Sequence, residues 1–210
     1  MSLSEPATLL TDYLLATVAG ALGLRLARDA PFRLDGRGLW AAAFLAGAVA
    51  ALAGGTVHGF RGSLPPAVRA GLWVTYLFGV GLADGLLLFG IVMATLRGAW
   101  LRAGLALTAA KLAVYLAVVT RSGLTRDAVG DAAATILLLL VLGLAAARRD
   151  PRLLGWMLLA LGIAAVGLAV QAAGLAPHVQ FNHNDACHVL LAVALLPFYR
   201  AGLHLRRPGP

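Results

Sequence analysis

The stretch RRDPRLLGWMLLALGIAAVGLAVQAAG, residues 148–174, decides how the rest of the chain is read. A basic, proline-bearing break leads into a run with no charged or amide side chain from Leu153 to Val170. That run has about the 20 residues a helix needs to cross the hydrocarbon core of a bilayer. Its apolar residues are continuous and show no amphipathic stripe, so the whole circumference of the helix expects an apolar surrounding.

Working outward, clusters of Arg, Pro, Gly and Asp cut the chain into seven such stretches, roughly 7–27, 39–58, 70–96, 103–120, 128–147, 153–175 and 184–203. The breaks RDAPFRLDGRG, RGSLPP, LRGAW, RSGLTRD and RRDPR are turn-like. The third span is the longest and is expected to tilt. No internal repeat stands out. The expected fold is all-α, a single seven-helix transmembrane domain over residues 1–210. Composition agrees, with 60% hydrophobic and only 12% charged residues, against about 25% charged in soluble domains. The N-terminal MSLSEPATLLTDYLL has Glu5 and Asp12 where a secretory signal would be basic, so it reads as a retained first span. A single cysteine, Cys187, excludes an intrachain disulfide framework.

The net charge of +8 does not point to nucleic acid, because the arginines sit at the ends of apolar runs, where topology signals belong. One face carries Arg61, Arg69, Arg121 and Arg126. The other carries twelve: Arg25, Arg28, Arg33, Arg37, Arg97, Arg102, Arg148, Arg149, Arg152, Arg200, Arg206 and Arg207. The positive-inside rule places the N-terminus outside and the C-terminus in the cytoplasm, and the chain is expected to be a multi-pass protein of the cell membrane.

This topology gathers polar residues at one face. His58 ends the second span, and His183, Asp185 and His188 open the seventh. Asp12, Asp131 and Gln171 lie near the same face, and His178 is in an outer loop. Only His204 falls on the other side. Ionisable residues inside spans are costly and are functional candidates by default. Histidine with carboxylate suits zinc, and zinc-bound water becomes a nucleophile near neutral pH. Helical spacing places Asn184, Asp185 and His188 on one face, while His183 and His188 are about 140° apart. His183 reaches the same point only if the helix begins just after it. The structural alternatives are an N-cap for Asn182 or Asn184 with Asp185 favoured by the helix dipole, an interhelical hydrogen bond for His188, and an interfacial place for His58. Cys187 reads as packing. Deeper in the membrane, Asp84 and Lys111 interrupt the third and fourth spans and read as an ion pair, with a proton relay as the functional alternative. Gly81 and Gly85 permit close helix contact beside Asp84.

Seven spans, a His ending the second (GGTVHGF) and a His-rich start to the seventh (FNHNDACH) resemble the CREST superfamily. This group includes alkaline ceramidases, progestin/adiponectin receptors, hemolysin III-like proteins and Per1-like proteins. The chain also looks like a smaller bacterial family with GGxxHGF and FNHNDxxH motifs. The resemblance implies zinc-dependent hydrolysis of a lipid amide. His58 matches the second-span His, and His188 the second His of the seventh-span His-x-x-x-His pair. Gly54 stands where the family has Ser, and Asn184 where it has the first His. No Asp follows His58 until Asp84.

Four readings follow. In a metal hydrolase acting on a lipid amide or ester, His58 and His188 bind zinc, Asp185 or His183 completes the shell, and Asp12 or Asp84 orients water or acts as base. In a non-enzymatic receptor-like or structural module, the polar residues only tie helix ends together. A transporter using Asp84 and Lys111 lacks the paired broken spans expected of one, and a haem site lacks a redox motif.

Overall fold

The computed structural model describes residues 3–28, 35–147 and 150–205. Arg33, Arg148, Arg149, Arg206 and Arg207, used in the charge count, lie outside the described residues. The described chain forms seven helices: α1 (Pro6–Arg28), α2 (Gly36–Phe60), α3 (Pro66–Thr95), α4 (Gly98–Ser122), α5 (Thr125–Ala146), α6 (Pro151–Ala173) and α7 (His183–Leu203). All seven are long and apolar enough to cross a membrane. Leu10, Leu107, Val114, Leu137 and Val141 are exposed on their flanks, a surface suited to lipid.

Local chemistry sets the helix ends. Asp35 caps α2 by accepting from the Gly38 amide at 2.9 Å, and Asp150 caps α6, where Pro151 fills the first helical position. Gly123 and Gly174 end α4 and α6 with φ of 64° and 63°, left-handed values that favour glycine.

The packing is a ring with one outlier. Neighbours around the ring are α1, α2, α3, α5, α6 and α7, and α7 returns to α1. Helix α4 touches only α3 and α5 and stands outside. One end of the ring is solid. There Leu26, Trp40, Phe44, Leu88, Ile91, Leu139, Met157 and Phe198 form one buried cluster. The Trp40 ring meets Phe198 edge-on at 5.9 Å, and its Nε1 donates to the Leu87 carbonyl at 2.8 Å. Gly90 makes room for it, since a Cβ there would fall 2.3 Å from Trp40 Cδ1. The other end of the ring is hollow.

Candidate functional site

A cavity of about 480 Å³ runs down the ring, lined by α1, α2, α3, α5, α6 and α7. Its floor is apolar, with Phe44, Leu139, Ala164 and Phe198. Its opposite end carries Asp12, His58, Trp73, Tyr76, Gln171, His183, Asn184 and His188. These come from the starts of α1, α3 and α7 and the ends of α2 and α6, as alternating spans require.

Glycine spacing brings the first helix in. Gly55 and Gly59 are four apart and share a face of α2. A Cβ on Gly55 would lie 2.7 Å from Asp12 Cβ, and one on Gly59 would lie 2.8 Å from Leu9 Cδ2. Asp12 is thus pressed against bare backbone and is only 2% exposed. Gly54, on the adjacent face, accepts the Tyr76 ring at 3.1 Å from where its Cβ would stand.

His188 is the hub of this end. Its Nε2 faces Asp12 Oδ1 at 3.4 Å and its Nδ1 faces Thr11 Oγ1 at 3.3 Å. A neutral imidazole has one N–H, so both contacts are satisfied when Nε2 donates to Asp12 and Thr11 donates to Nδ1. Thr11 also lies 3.5 Å from Asp185 Oδ1 and 3.2 Å from the Thr8 carbonyl. Hydroxyl, imidazole and carboxylate in a row resemble a nucleophilic triad. However, Thr11 does not line the cavity, whereas Asp12 and His188 do. Thr11 therefore orients the ring and does not meet a ligand.

The remaining polar residues are mostly engaged with helix ends. Asn182 caps α7 in a reciprocal box: its side chain accepts from the Asn184 amide at 2.8 Å, and Asp185 Oδ2 accepts from its own amide at 2.7 Å. The capping alternative thus holds for Asn182 and Asp185, and Asp185, fully buried, gives its Oδ2 to the Asn182 amide. Gln171 Nε2 donates to Asn184 Oδ1 at 2.7 Å, joining α6 to α7. His58 Nδ1 pairs with Glu5 Oε2 at 3.0 Å, and its ring meets Trp73 edge-on at 6.2 Å. His183 is the first residue of α7 and lines the cavity. His178 accepts from the Gln180 amide in the loop. His204 pairs with Asp150 at 2.9 Å at the opposite end of the bundle. There, burial is the largest single influence on the Asp150 carboxyl and raises it, but the Leu153 amide, the His204 hydrogen bond and charge, and the Arg152 amide together outweigh it and hold the carboxyl below its ordinary range.

Asp84 does not join the His cluster. Gly47 faces Ala83 at 4.0 Å and Gly55 faces Asp12, and eight residues of α2 separate those levels, about 12 Å. The expected direct pair of Asp84 and Lys111 is also corrected. Lys111 Nζ bonds Asp131 Oδ2 at 2.7 Å, while Asp84 lies beside both and beside Thr135. Helix α4 packs against both α3 and α5, so Lys111 has a carboxylate on either neighbour, and its head sits against the one on α5. Asp131 therefore leaves the His cluster for this one.

Three acceptor oxygens of the lining remain buried without a hydrogen-bond partner among the described residues: Asp12 Oδ2, Asp84 Oδ2 and Gln171 Oε1. The same residues hold no group of three or more His, Cys, Asp and Glu side chains placed to hold a metal ion. Sequence reasoning missed Thr11, Glu5, Trp73 and Tyr76. The Gly55–Gly59 spacing was a readable signal for the seat of Asp12, of the same kind as Gly81–Gly85.

The chain belongs to DUF6962, a family of unknown function whose model matches residues 7–207. No curated protein and no solved structure matches it.

Proposed function

We propose, for a chain whose family carries no assigned activity, a membrane-embedded hydrolase acting on a lipid amide or ester. One observation carries the reading: a long apolar cavity ends at a buried carboxyl group, Asp12, with one oxygen facing His188 Nε2 at 3.4 Å and the other unpartnered among the described residues. The apolar length suits an acyl or alkyl chain, and the polar end suits the bond to be cut. Asp12 Oδ2 takes a proton from water as the water oxygen adds to the substrate carbonyl carbon. His188 Nε2–H holds Oδ1 and stabilises the carboxylate. The C–N or C–O bond then breaks, and the proton passes from Oδ2 to the leaving nitrogen or oxygen. The resemblance to the CREST superfamily, which implies hydrolysis of a lipid amide, supports an amide as the bond. The arginine asymmetry supports placing this end outside a bacterial inner membrane, with the N-terminus on the same side.

A resident metal does not fit the donors as they stand, because Glu5 takes His58, the cap of α7 takes Asp185, and no three donors converge among the described residues. No step is therefore routed through zinc. A zinc site would need His58 to leave Glu5 and join His188 and Asp12, and elemental analysis of protein purified in mild detergent tests it directly. Purified protein in nanodiscs, offered a panel of lipid amides and esters, is expected to release fatty acid, and Asp12→Asn to release at least about a hundredfold less.

A second reading has its own support. The Asn182–Asp185 box, Gln171–Asn184 and His58–Glu5 all join helix ends, as a non-enzymatic receptor-like module requires. It predicts that Asp12→Asn changes stability and that no lipid is cleaved by the wild-type protein.

A further inference from the structure

The charge inside the ring opposes the charge of the chain. The protein carries 17 Lys and Arg and a net +8, yet no Lys or Arg is among the described residues lining the cavity. The carboxyl groups there are Asp12 and Asp84. Lys111, the basic residue nearest in depth, turns its head to Asp131. His58 and His188 each already face a carboxylate, Glu5 and Asp12 respectively. The fully buried lining atoms without a partner among the described residues are all acceptors: Asp12 Oδ2 and Gln171 Oε1 at the polar end, and Asp84 Oδ2 deeper. A buried acceptor without a donor costs about 1–3 kcal/mol, more when charged, so these three oxygens call for a donor, and no Lys or Arg among the described lining residues supplies one.

We propose that the cavity binds a single-chain cationic amphiphile, a long-chain primary amine with its ammonium at Asp12 and Gln171 and its tail toward Phe198. An ammonium supplies three N–H donors and a compensating charge. Phosphate, sulfate and carboxylate heads supply neither, and Asp12 and Asp84 repel them. From His188 to Phe198 is ten residues of α7, about 15 Å, which holds an extended tail of about twelve carbons spaced by C–C bonds of about 1.5 Å. The inference rests on the reading of the cavity as an amphiphile site. It adds the class of head group.

The test holds the tail constant and changes the head. Dodecylammonium, dodecanol and dodecyl sulfate are titrated into the full chain in zwitterionic nanodiscs and followed by tryptophan fluorescence, since Trp73 lines the cavity. The amine is expected to bind at least about tenfold tighter than the alcohol, with the sulfate weakest, a difference of about 1.4 kcal/mol or more. Non-specific attraction to a chain of net charge +8 would give the reverse order. Asp12→Asn is expected to remove the preference for the amine over the alcohol, and Asp84→Asn to reduce it. Equal binding of all three, tighter binding of sulfate, or an undiminished preference in Asp12→Asn overturns the proposal. Should Asp12→Asn fail to fold, the wild-type ranking and Asp84→Asn decide. Amine binding without cleavage of any lipid leaves this inference standing and defeats the hydrolase. Cleavage without amine preference does the opposite.

Discussion

Replacing Gly55 by Ala tests how the site is assembled. The added Cβ would stand 2.7 Å from Asp12 Cβ and 3.0 Å from Tyr13 Cδ1. Carbon atoms in contact prefer about 3.5–4.0 Å, so α1 and α2 must part by about 1 Å. Overpacking of this kind costs about 1–3 kcal/mol, and the gain in helix propensity from Gly to Ala returns up to about 1 kcal/mol. The net loss is about 1–2 kcal/mol, a fall in midpoint of about 2–8 °C for a chain of this size. Gly47→Ala is the matched control. It lies on the same helix, and its added Cβ would meet only Ala83 Cβ at 4.0 Å, so it is expected to be neutral or slightly stabilising. Thermal unfolding of both variants in one detergent reads the difference. The Gly55 variant is also expected to lose ligand binding, because Asp12 moves with α1. Equal midpoints for the two variants, or a Gly55→Ala protein with undisturbed binding, would refute the close approach of α1.

Lys111→Met leaves Asp131 without its partner in a half-lipid setting, and breaking a buried pair costs about 3–5 kcal/mol. The double variant with Asp131→Asn should recover most of that loss in the same unfolding assay, and Lys111→Met with Asp84→Asn should recover less. Asn182→Ala removes the cap of α7 and should lower stability by about 1 kcal/mol, read by the same method. At the opposite end, Asp150 is held below its ordinary range by the Leu153 and Arg152 amides and by His204. A depressed carboxyl contributes stability that is complete above its unfolded value near 4 and is lost as pH falls through its lower folded value. Asp150→Asn should therefore lower the midpoint at pH 6–7 and flatten its decline below pH 4, measured as midpoint against pH.

The helices were legible because each is a long, mainly apolar run bounded by Arg, Pro or Gly, a pattern that needs no knowledge of neighbours. Span 153–175 became Pro151–Ala173, and 184–203 became His183–Leu203. Depth was legible too, which is why Asp12, His58 and His188 were expected at one end and meet one cavity there. Azimuth and neighbour choice were not. The sequence carries no sign that α4 leaves the ring or that α7 closes onto α1, and so Asp131 and not Asp84 receives Lys111. Glu5 lies before the first span, and its pairing with His58 depends on how the chain before α1 folds back, where the Ser4 amide donates to the Gly59 carbonyl at 2.9 Å. That tie could not be read from spacing, and it takes a histidine that the metal reading needed.

The central claim is that Asp12 at the head of the cavity performs chemistry on a lipid. Release of fatty acid from amide and ester lipids, measured for the wild-type protein and Asp12→Asn at equal folded concentration in nanodiscs, tests it most directly. Turnover by the wild type and a loss of at least about a hundredfold in the variant are expected. Equal release by both proteins, or none by the wild type across the panel, would contradict it.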